Sequence, residues 1–338
     1  MTKSVLIFSH GELIGDGMMK LPFINALNTA FPDAEITWLS GRHSTIFASA
    51  LAPLVHGKIH NIINHTKLGD SIGDAVFRRW KSVLPQRSYD IIINTDQHLL
   101  PTLMLKTIPH KMFISASMKW LLSDQKPPLT AEQAHYEKPI LLLNRLMDLL
   151  CAATQKTIAP IFGITIPQSM LELAQSLLPK GRNVLLAPGA GGRFKCWPLQ
   201  NFIDLGNRLI ADGINVGYIL GPAEKEWQPQ LALGVKTAFF PLAETTEKSV
   251  FVTIAFARLA DLSIANDGGV GHILASADQP LISMWGPTDP YKSTPNGAQV
   301  HVIYARDYGT PSMDTLTVDM IYEHAKKILT TKTKDLTC

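Results

Sequence analysis

Leu262-Ser263-Ile264-Ala265-Asn266-Asp267-Gly268-Gly269-Val270-Gly271-His272 reads as a short buried strand, a polar turn carrying glycines, and the start of a helix that runs on through residues 272–277. Such a turn leaves backbone N–H groups unpaired at a helix start, where the helix dipole also favours a bound phosphate or diphosphate. The plain alternative is a tight turn whose glycines only relieve steric strain. One glycine turn does not choose between the two, so the rest of the chain has to.

Outward from that stretch the same alternation continues. Residues 250–260 read as a helix before it, and 281–285 as a strand after it, with 300–304 a further strand and 318–329 a final helix. Upstream, 183–187 is a strand followed by the glycine loop 188–192, then a helix over 198–211, a strand over 215–220, a helix over 224–233 and a short strand at 238–240. The first half repeats this grammar: strands at 5–8, 35–39, 59–63, 89–94 and 112–114, with helices at 18–31, 72–84, 98–106 and 141–152. Strands that are continuous apolar runs, alternating with helices, imply an α/β protein of two doubly wound domains with parallel sheets. The proline-bearing stretch 155–180 is the expected linker, giving domains over 1–165 and 166–338, with the last helix free to pack back on the first domain. In such folds ligands sit at the carboxyl ends of the strands, which places the expected site in a cleft where the two sheets face each other.

Composition sets bounds on function. With 46% hydrophobic and 17% charged residues among 338, the chain is a folded globular protein, and a net charge of +3 does not mark a nucleic-acid binder. Arg78, Arg79, Lys81 and Arg87, followed by Lys106, His110, Lys111 and Lys119, form a basic cluster that could meet an acidic acceptor or a membrane surface, or be an ordinary solvated face. The cysteines, Cys151, Cys196 and Cys338, stand far apart and in no metal-ligand spacing, as expected of a reduced cytoplasmic protein. No apolar run is long enough to span a bilayer. The polar segment 120–139, with Asp124, Lys126, Pro127, Pro128 and Glu132, has the length of a substrate-binding loop or flap.

Four loops at strand ends hold the candidate residues. After the first strand, Glu12 and Asp16 are the available carboxylates; Asp16 suits a general base, or an N-cap if the helix begins just after it. The loop Gly189, Gly191, Gly192, Arg193, Lys195 combines backbone donors with two cations suited to a departing diphosphate, although it lacks the Gly-Lys-Ser/Thr of a Walker loop. Glu224 and Glu226 compete to accept hydrogen bonds from ribose hydroxyls, or serve only as helix-start charges. Asp267, Gly268, Gly269 and His272 make the fourth loop, with His272 either a packed residue or a hydrogen-bond donor to phosphate.

Gly15-Asp16 with Leu21-Pro22, then Lys195-Cys196-Trp197-Pro198, then Asn266-Asp267-Gly268-Gly269 through His272, then Gly286-Pro287-Thr288-Asp289-Pro290, occur in this order. Together they resemble glycosyltransferase family 9, the lipopolysaccharide heptosyltransferases and their relatives. The resemblance covers most of the chain, least over 40–180. It implies a GT-B architecture, an acceptor-binding first domain, a second domain holding an ADP-linked sugar donor, and an inverting transfer with no metal and no cofactor. Residue by residue, Asp16 matches the catalytic base, Lys195 the donor-phosphate lysine, Asp267, Gly268, Gly269 and His272 the donor-sugar and diphosphate segment, and Glu224 or Glu226 the nucleoside-binding acid. This sequence departs where the family often has Thr or Ser after the aspartate, since Gly268 supplies no hydroxyl. The loop around Ala190, Gly191 and Gly192 likewise lacks the hydroxyls some members present.

The expected activity is therefore transfer of a heptose or related sugar from a nucleotide-diphosphate donor to a lipopolysaccharide-type or other glycan or glycolipid acceptor. The setting would be cytoplasmic, with peripheral contact on the cytoplasmic face of the inner membrane and no nucleic-acid partner. The absence of any Asp-x-Asp pair agrees with a metal-free mechanism. Two other readings use the same fold: a nucleotide-sugar epimerase, and a catalytically silent relative that binds nucleotide sugars or glycans. A nicotinamide dehydrogenase is disfavoured, because residues 10–17 lack Gly-x-Gly-x-x-Gly.

Overall fold

A computed structural model describes residues 3–64, 84–129 and 135–335. The chain divides into two compact units, Met1–Phe162 and Gly163–Cys338. The expected helix over 72–84 and the cluster members Arg78, Arg79 and Lys81 lie outside the described residues, apart from Leu84; so do Glu132 and Cys338.

In the first unit β1 (Ser4–Ser9), α1 (Ile14–Ala30), β2 (Glu35–Ser40), α2 (Ala52–Val55), β3 (Asn61–Ile63), β4 (Tyr89–Asn94), α3 (Leu99–Leu105), β5 (His110–Ser115) and α4 (Leu142–Thr154) follow in order. The strands form one parallel sheet, β3-β2-β1-β4-β5, in which Val5 pairs with Ile36 on one side and Ile91 on the other. In the second unit come α5 (Gln168–Leu177), β6 (Asn183–Ala187), α6 (Leu199–Ala211), β7 (Asn215–Tyr218), α7 (Gln228–Gly234), α8 (Val250–Leu259), β8 (Leu262–Asn266), α9 (Gly269–Ala275), β9 (Leu281–Trp285), α10 (Pro290–Ser293), β10 (Val300–Tyr304) and α11 (Val318–Asp335). Its sheet is parallel in the order β10-β9-β8-β6-β7. Helices cover both faces, so every residue of β6, β8 and β9 is buried, which is why these strands are unbroken apolar runs. No described helix is long and apolar enough to cross a membrane.

Three expectations need correction. The division between the units falls within the expected linker 155–180, but that stretch is not all linker: it contains a helix, α5, which packs against α8. Its prolines mislead because they bound the helix, Pro167 as N-cap and Pro179 just past the end, where a missing N–H costs nothing. The segment 238–240 is no strand: Phe239 makes a single parallel bridge to Gly217. And α1 begins at Ile14, capped by the backbone of Leu13 with no side-chain hydrogen bond, so Asp16 lies inside the first turn and is not the N-cap. The final helix α11 packs on α6 of its own unit, where Tyr322 donates to Asp212 over 2.5 Å and Arg208 pairs with Asp319.

What fixes the first turn of α1 is a buried ion pair. Lys20 is 6% exposed and Glu12 4%, and Lys20 Nζ donates to Glu12 Oε1 at 2.8 Å and to Ser9 Oγ at 2.6 Å. Thr45 donates to the other carboxylate oxygen. Burial pushes the Glu12 carboxyl up, but the Lys20 charge and these hydrogen bonds outweigh it and hold the pKa below its usual value. The pair closes the β1–α1 connection onto itself.

Removing one partner strands the other charge in the interior, so Lys20→Met should lower the unfolding free energy by roughly 3 kcal/mol or more. Urea denaturation of Lys20→Met and of the double variant Glu12→Gln/Lys20→Met measures this. The double variant should recover much of the loss, and equal losses in both would show that the lysine acts through packing alone.

Candidate functional site

The order of the second sheet reverses between β6 and β8, and the loops leaving these two strands border the crevice in which doubly wound sheets bind ligands. Asn266, the last residue of β8 and 1% exposed, joins them. Its Nδ2 donates to the Pro188 carbonyl at 2.7 Å, and its Oδ1 accepts the Trp197 N–H at 3.0 Å. Trp197 is anchored in turn by its indole N–H, which donates to Leu316 O at 2.7 Å. Both ends of the 188–197 loop are thereby fastened to the end of β8.

Two glycines permit the close approach. A Cβ on Gly268 would lie 3.0 Å from the Ala190 Cα, which is backbone and has little freedom to yield. The backbone at Gly268 is extended, so space and not conformation calls for glycine. A Cβ on Gly189 would stand 2.5 Å from the Glu224 carboxyl carbon. Glu224 therefore lies over the glycine loop, while Glu226 pairs with Arg193 on the exposed surface and Arg193 stacks on Trp227, 4.8 Å from the ring centroid. Of the two acids, Glu224 is the one that lies over the glycine loop. Gly191 has open space around it, and Gly269 opens α9.

The charged centre of the crevice is a trio. Lys195 Nζ donates to Asp267 Oδ2 at 2.7 Å, and Thr288 Oγ1, from the loop after β9, donates to the same oxygen at 2.5 Å. The pair is partly open, with side-chain exposures of 23% for Lys195 and 8% for Asp267. An ammonium has three donors, so Lys195 can keep Asp267 and still meet an incoming anion. In the sequence Thr288 stands out only as part of the Gly286-Pro287-Thr288-Asp289-Pro290 motif. Its hydroxyl stands on Asp267, where Gly268 has none to offer, and nothing short of the fold brings residues 267 and 288 together.

His272 lies one turn into α9 and is 5% exposed. Burial drives its pKa down to about 4, with Asp267 opposing that shift and Lys195 adding to it. It is a neutral imidazole near pH 7, and its Nδ1 is buried without a hydrogen-bond partner. It can give or take a hydrogen bond but brings no charge.

Asp16 belongs to the first unit, half-buried in the first turn of α1 just beyond β1. With Glu12 committed to Lys20 and Thr45, Asp16 is the carboxylate of that loop left for chemistry. Four described members of the basic cluster are engaged locally: Arg87 pairs with Glu35, Lys111 with Asp90, Lys106 donates to Leu122 O, and His110 Nδ1 meets Ile108 O.

The model of Glycosyltransferase family 9 (heptosyltransferase) matches residues 77–319. Lipopolysaccharide heptosyltransferase 3 of Escherichia coli K12 is 25% identical over 291 residues, covering 81% of this chain and 80% of that protein. Lipopolysaccharide heptosyltransferase 2 of Salmonella typhimurium is 24% identical, covering 86% and 85%. Among solved structures, a family 9 glycosyl transferase from Veillonella parvula superposes with a TM-score of 0.69 at 15% identity, covering 97% of both chains. The E. coli heptosyltransferase WaaC with ADP gives 0.65 at 19%, covering 96% of this chain and 99% of that one. These likenesses carry the fold, two Rossmann-like domains of the GT-B class.

Since the folded protein holds His272 neutral down to about pH 4 while the unfolded chain protonates it from about 6.5, its contribution is present above the unfolded value and lost as pH falls. From pH 7 to pH 4 this loss is worth roughly 3 kcal/mol at full burial. Melting of the wild type and His272→Gln across that range should show a flatter pH dependence in the variant; parallel curves would contradict the burial of an uncharged ring.

Proposed function

The chain belongs to glycosyltransferase family 9 and is a glycosyltransferase, and from that premise we propose that it transfers a heptose or related sugar from an ADP-linked donor to a lipopolysaccharide-type glycan acceptor, with inversion and without a metal or other cofactor. The supporting observation is the Lys195–Asp267–Thr288 trio beside a glycine loop overlain by Glu224, at the reversal point of the second sheet. Glu224 accepts hydrogen bonds from the ribose hydroxyls. Lys195 and the loop amides meet the diphosphate, and Asp267, with Oδ1 unused among the described residues, accepts from a hydroxyl of the donor sugar. Neutral His272 gives a hydrogen bond to phosphate without adding charge.

The reaction is one displacement. Asp16 takes the proton of an acceptor hydroxyl, whose oxygen bonds to the anomeric carbon as the bond from that carbon to the diphosphate oxygen breaks. The nucleotide diphosphate leaves from the opposite face with the electron pair. Fixed positive charge at Lys195 and the N–H groups of the loop take the role a divalent ion has elsewhere. The enzyme works in the cytoplasm, in peripheral contact with the inner membrane that bears its acceptor.

Asp16→Asn should cut transfer by at least about a hundredfold, the scale of a lost general base, while leaving ADP affinity nearly intact. Lys195→Ala should weaken both, ADP binding by about tenfold or more, because Asp267 then faces the diphosphate unscreened. Calorimetry with ADP, UDP, GDP and dTDP, alongside ADP release from ADP-heptose with a lipopolysaccharide core acceptor, provides the measurements. A fully active Asp16→Asn, or no preference for ADP, would end the respective half of the reading.

A further inference from the structure

At the amino end of the second sheet, away from the crevice, lies a cavity of about 330 Å³ lined by Gln299, His301, His324, Lys327, Ile328 and Thr331 among others. Its place follows from the strands. Pro280, which also borders it, immediately precedes β9, and Gln299 immediately precedes β10, where the Leu281 N–H donates to Gln299 O at 2.9 Å. Thr288 follows the other end of β9, so five strand residues at about 3.3 Å each put roughly 16 Å of sheet between this cavity and the candidate crevice. His301 comes from the edge strand β10, and His324, Lys327, Ile328 and Thr331 come from α11.

Three of these side chains are cations or can become so, and among the described residues no carboxylate answers them. His324 Nδ1 lies 2.8 Å from the Met320 carbonyl one turn back on α11, so the ring proton sits there and Nε2 is left for something else. The Lys327 ammonium has no ion pair or hydrogen bond among the described residues, although Glu323 stands one turn before it. Burial first, and then the neighbouring His324 and Lys327, push the His301 pKa down. Gln299 Nε2 donates to Asp278 O at 3.4 Å and keeps a second N–H. The cavity on the other flank of α11, about 470 Å³, differs: Asp212 lies among its cations Arg182 and Lys326, accepts from Tyr322, and Lys326 rests 5.6 Å from the Tyr322 ring centroid. Like charges gathered without a counter-ion favour an incoming anion. A phosphate monoester suits donors spread over two elements, because it carries three terminal oxygens and a charge near −2, where a planar carboxylate has two oxygens and one charge.

We propose that this cavity is a binding site for a phosphate monoester, its terminal oxygens held by Lys327, His324 and His301. The site stands apart from the sugar-nucleotide reading, since none of its residues belongs to the crevice and no transfer is needed to fill it. Pro280 and Ile328 offer an apolar wall to the carbon that the phosphate esterifies. A soluble phosphomonoester and the headgroup of a monoester phospholipid share this chemistry, and the test separates them.

Imidazole C–H signals of the full chain, followed by NMR at about pH 6.5 during titration with inorganic phosphate, read the site directly. The signals of His301 and His324, assigned from His301→Gln and His324→Gln, should shift to saturation with a Kd of about 1 mM or tighter. With phosphate bound, His301 should titrate at a higher pH, back toward the ordinary histidine value. Lys327→Gln, an exposed substitution that leaves the core intact, should weaken binding by about tenfold or more. Lys195→Ala, at the crevice, should leave it within about twofold. Shifts that acetate or chloride reproduces at equal ionic strength, shifts that survive Lys327→Gln, or no shift at all would each overturn the proposal. Glycerol 3-phosphate titrations and flotation with phosphatidylcholine vesicles, with and without phosphatidate, name the source. Glycerol 3-phosphate binding without flotation supports a soluble ester, and flotation that needs both phosphatidate and Lys327 supports a lipid. Inorganic phosphate binding with neither would confine the site to the free ion and overturn the monoester reading.

Discussion

One side-chain amide holds the candidate donor site together. Asn266 gives its N–H to Pro188 and takes the N–H of Trp197, and so turns the ten-residue excursion after β6 from a loose loop into a closed staple on β8. Everything said of that crevice follows from the closure. The approach of Ala190 to Gly268 is as short as it is because the loop is held down, and Lys195, within the stapled loop, is brought to Asp267 just past the anchor. An amide is the group for the task because it offers a donor and an acceptor on one planar head, and both are buried and both are satisfied. Asp in its place would lose the donor; Leu would lose both bonds.

Two lysine–carboxylate pairs, Lys20–Glu12 and Lys195–Asp267, differ in a way that separates architecture from chemistry. Lys20 and Glu12 are sealed, with side-chain exposures of 8% and 0%, and their remaining capacity goes to Ser9 and Thr45. No ligand can compete for them, and their effect is to free Asp16 as the open carboxylate of the β1–α1 connection. Lys195 and Asp267 sit at a similar separation but keep part of the ammonium in reach of solvent. That pair holds itself in position before a substrate arrives and can turn toward an anion afterwards.

Much of this was legible in the chain. The unbroken apolar strands announced two parallel sheets, because a strand covered on both faces has no polar side to show. The motif order pointed to the family, and two of the segments it named, the loops after β6 and β8, border the reversal point of the second sheet. Other features were not legible for definite reasons. The helix α5 hid behind prolines that delimit it. The start of α1 was misplaced because Leu13 caps it with no polar side chain to signal the boundary. Glu224 and Glu226 are indistinguishable by spacing, and only the packing of one over Gly189 separates them. Thr288 reaches Asp267 across 21 residues, a distance over which periodicity carries no information.

The stacking of Arg193 on the half-buried indole of Trp227 has an optical corollary. A guanidinium resting on an indole face perturbs the excited state of the ring, and this guanidinium is also the outermost cation of the glycine loop. Drawing Arg193 toward a bound diphosphate would uncover that face and change the ring's emission. The Trp227 indole thus stands as a native fluorophore at the rim of the candidate crevice.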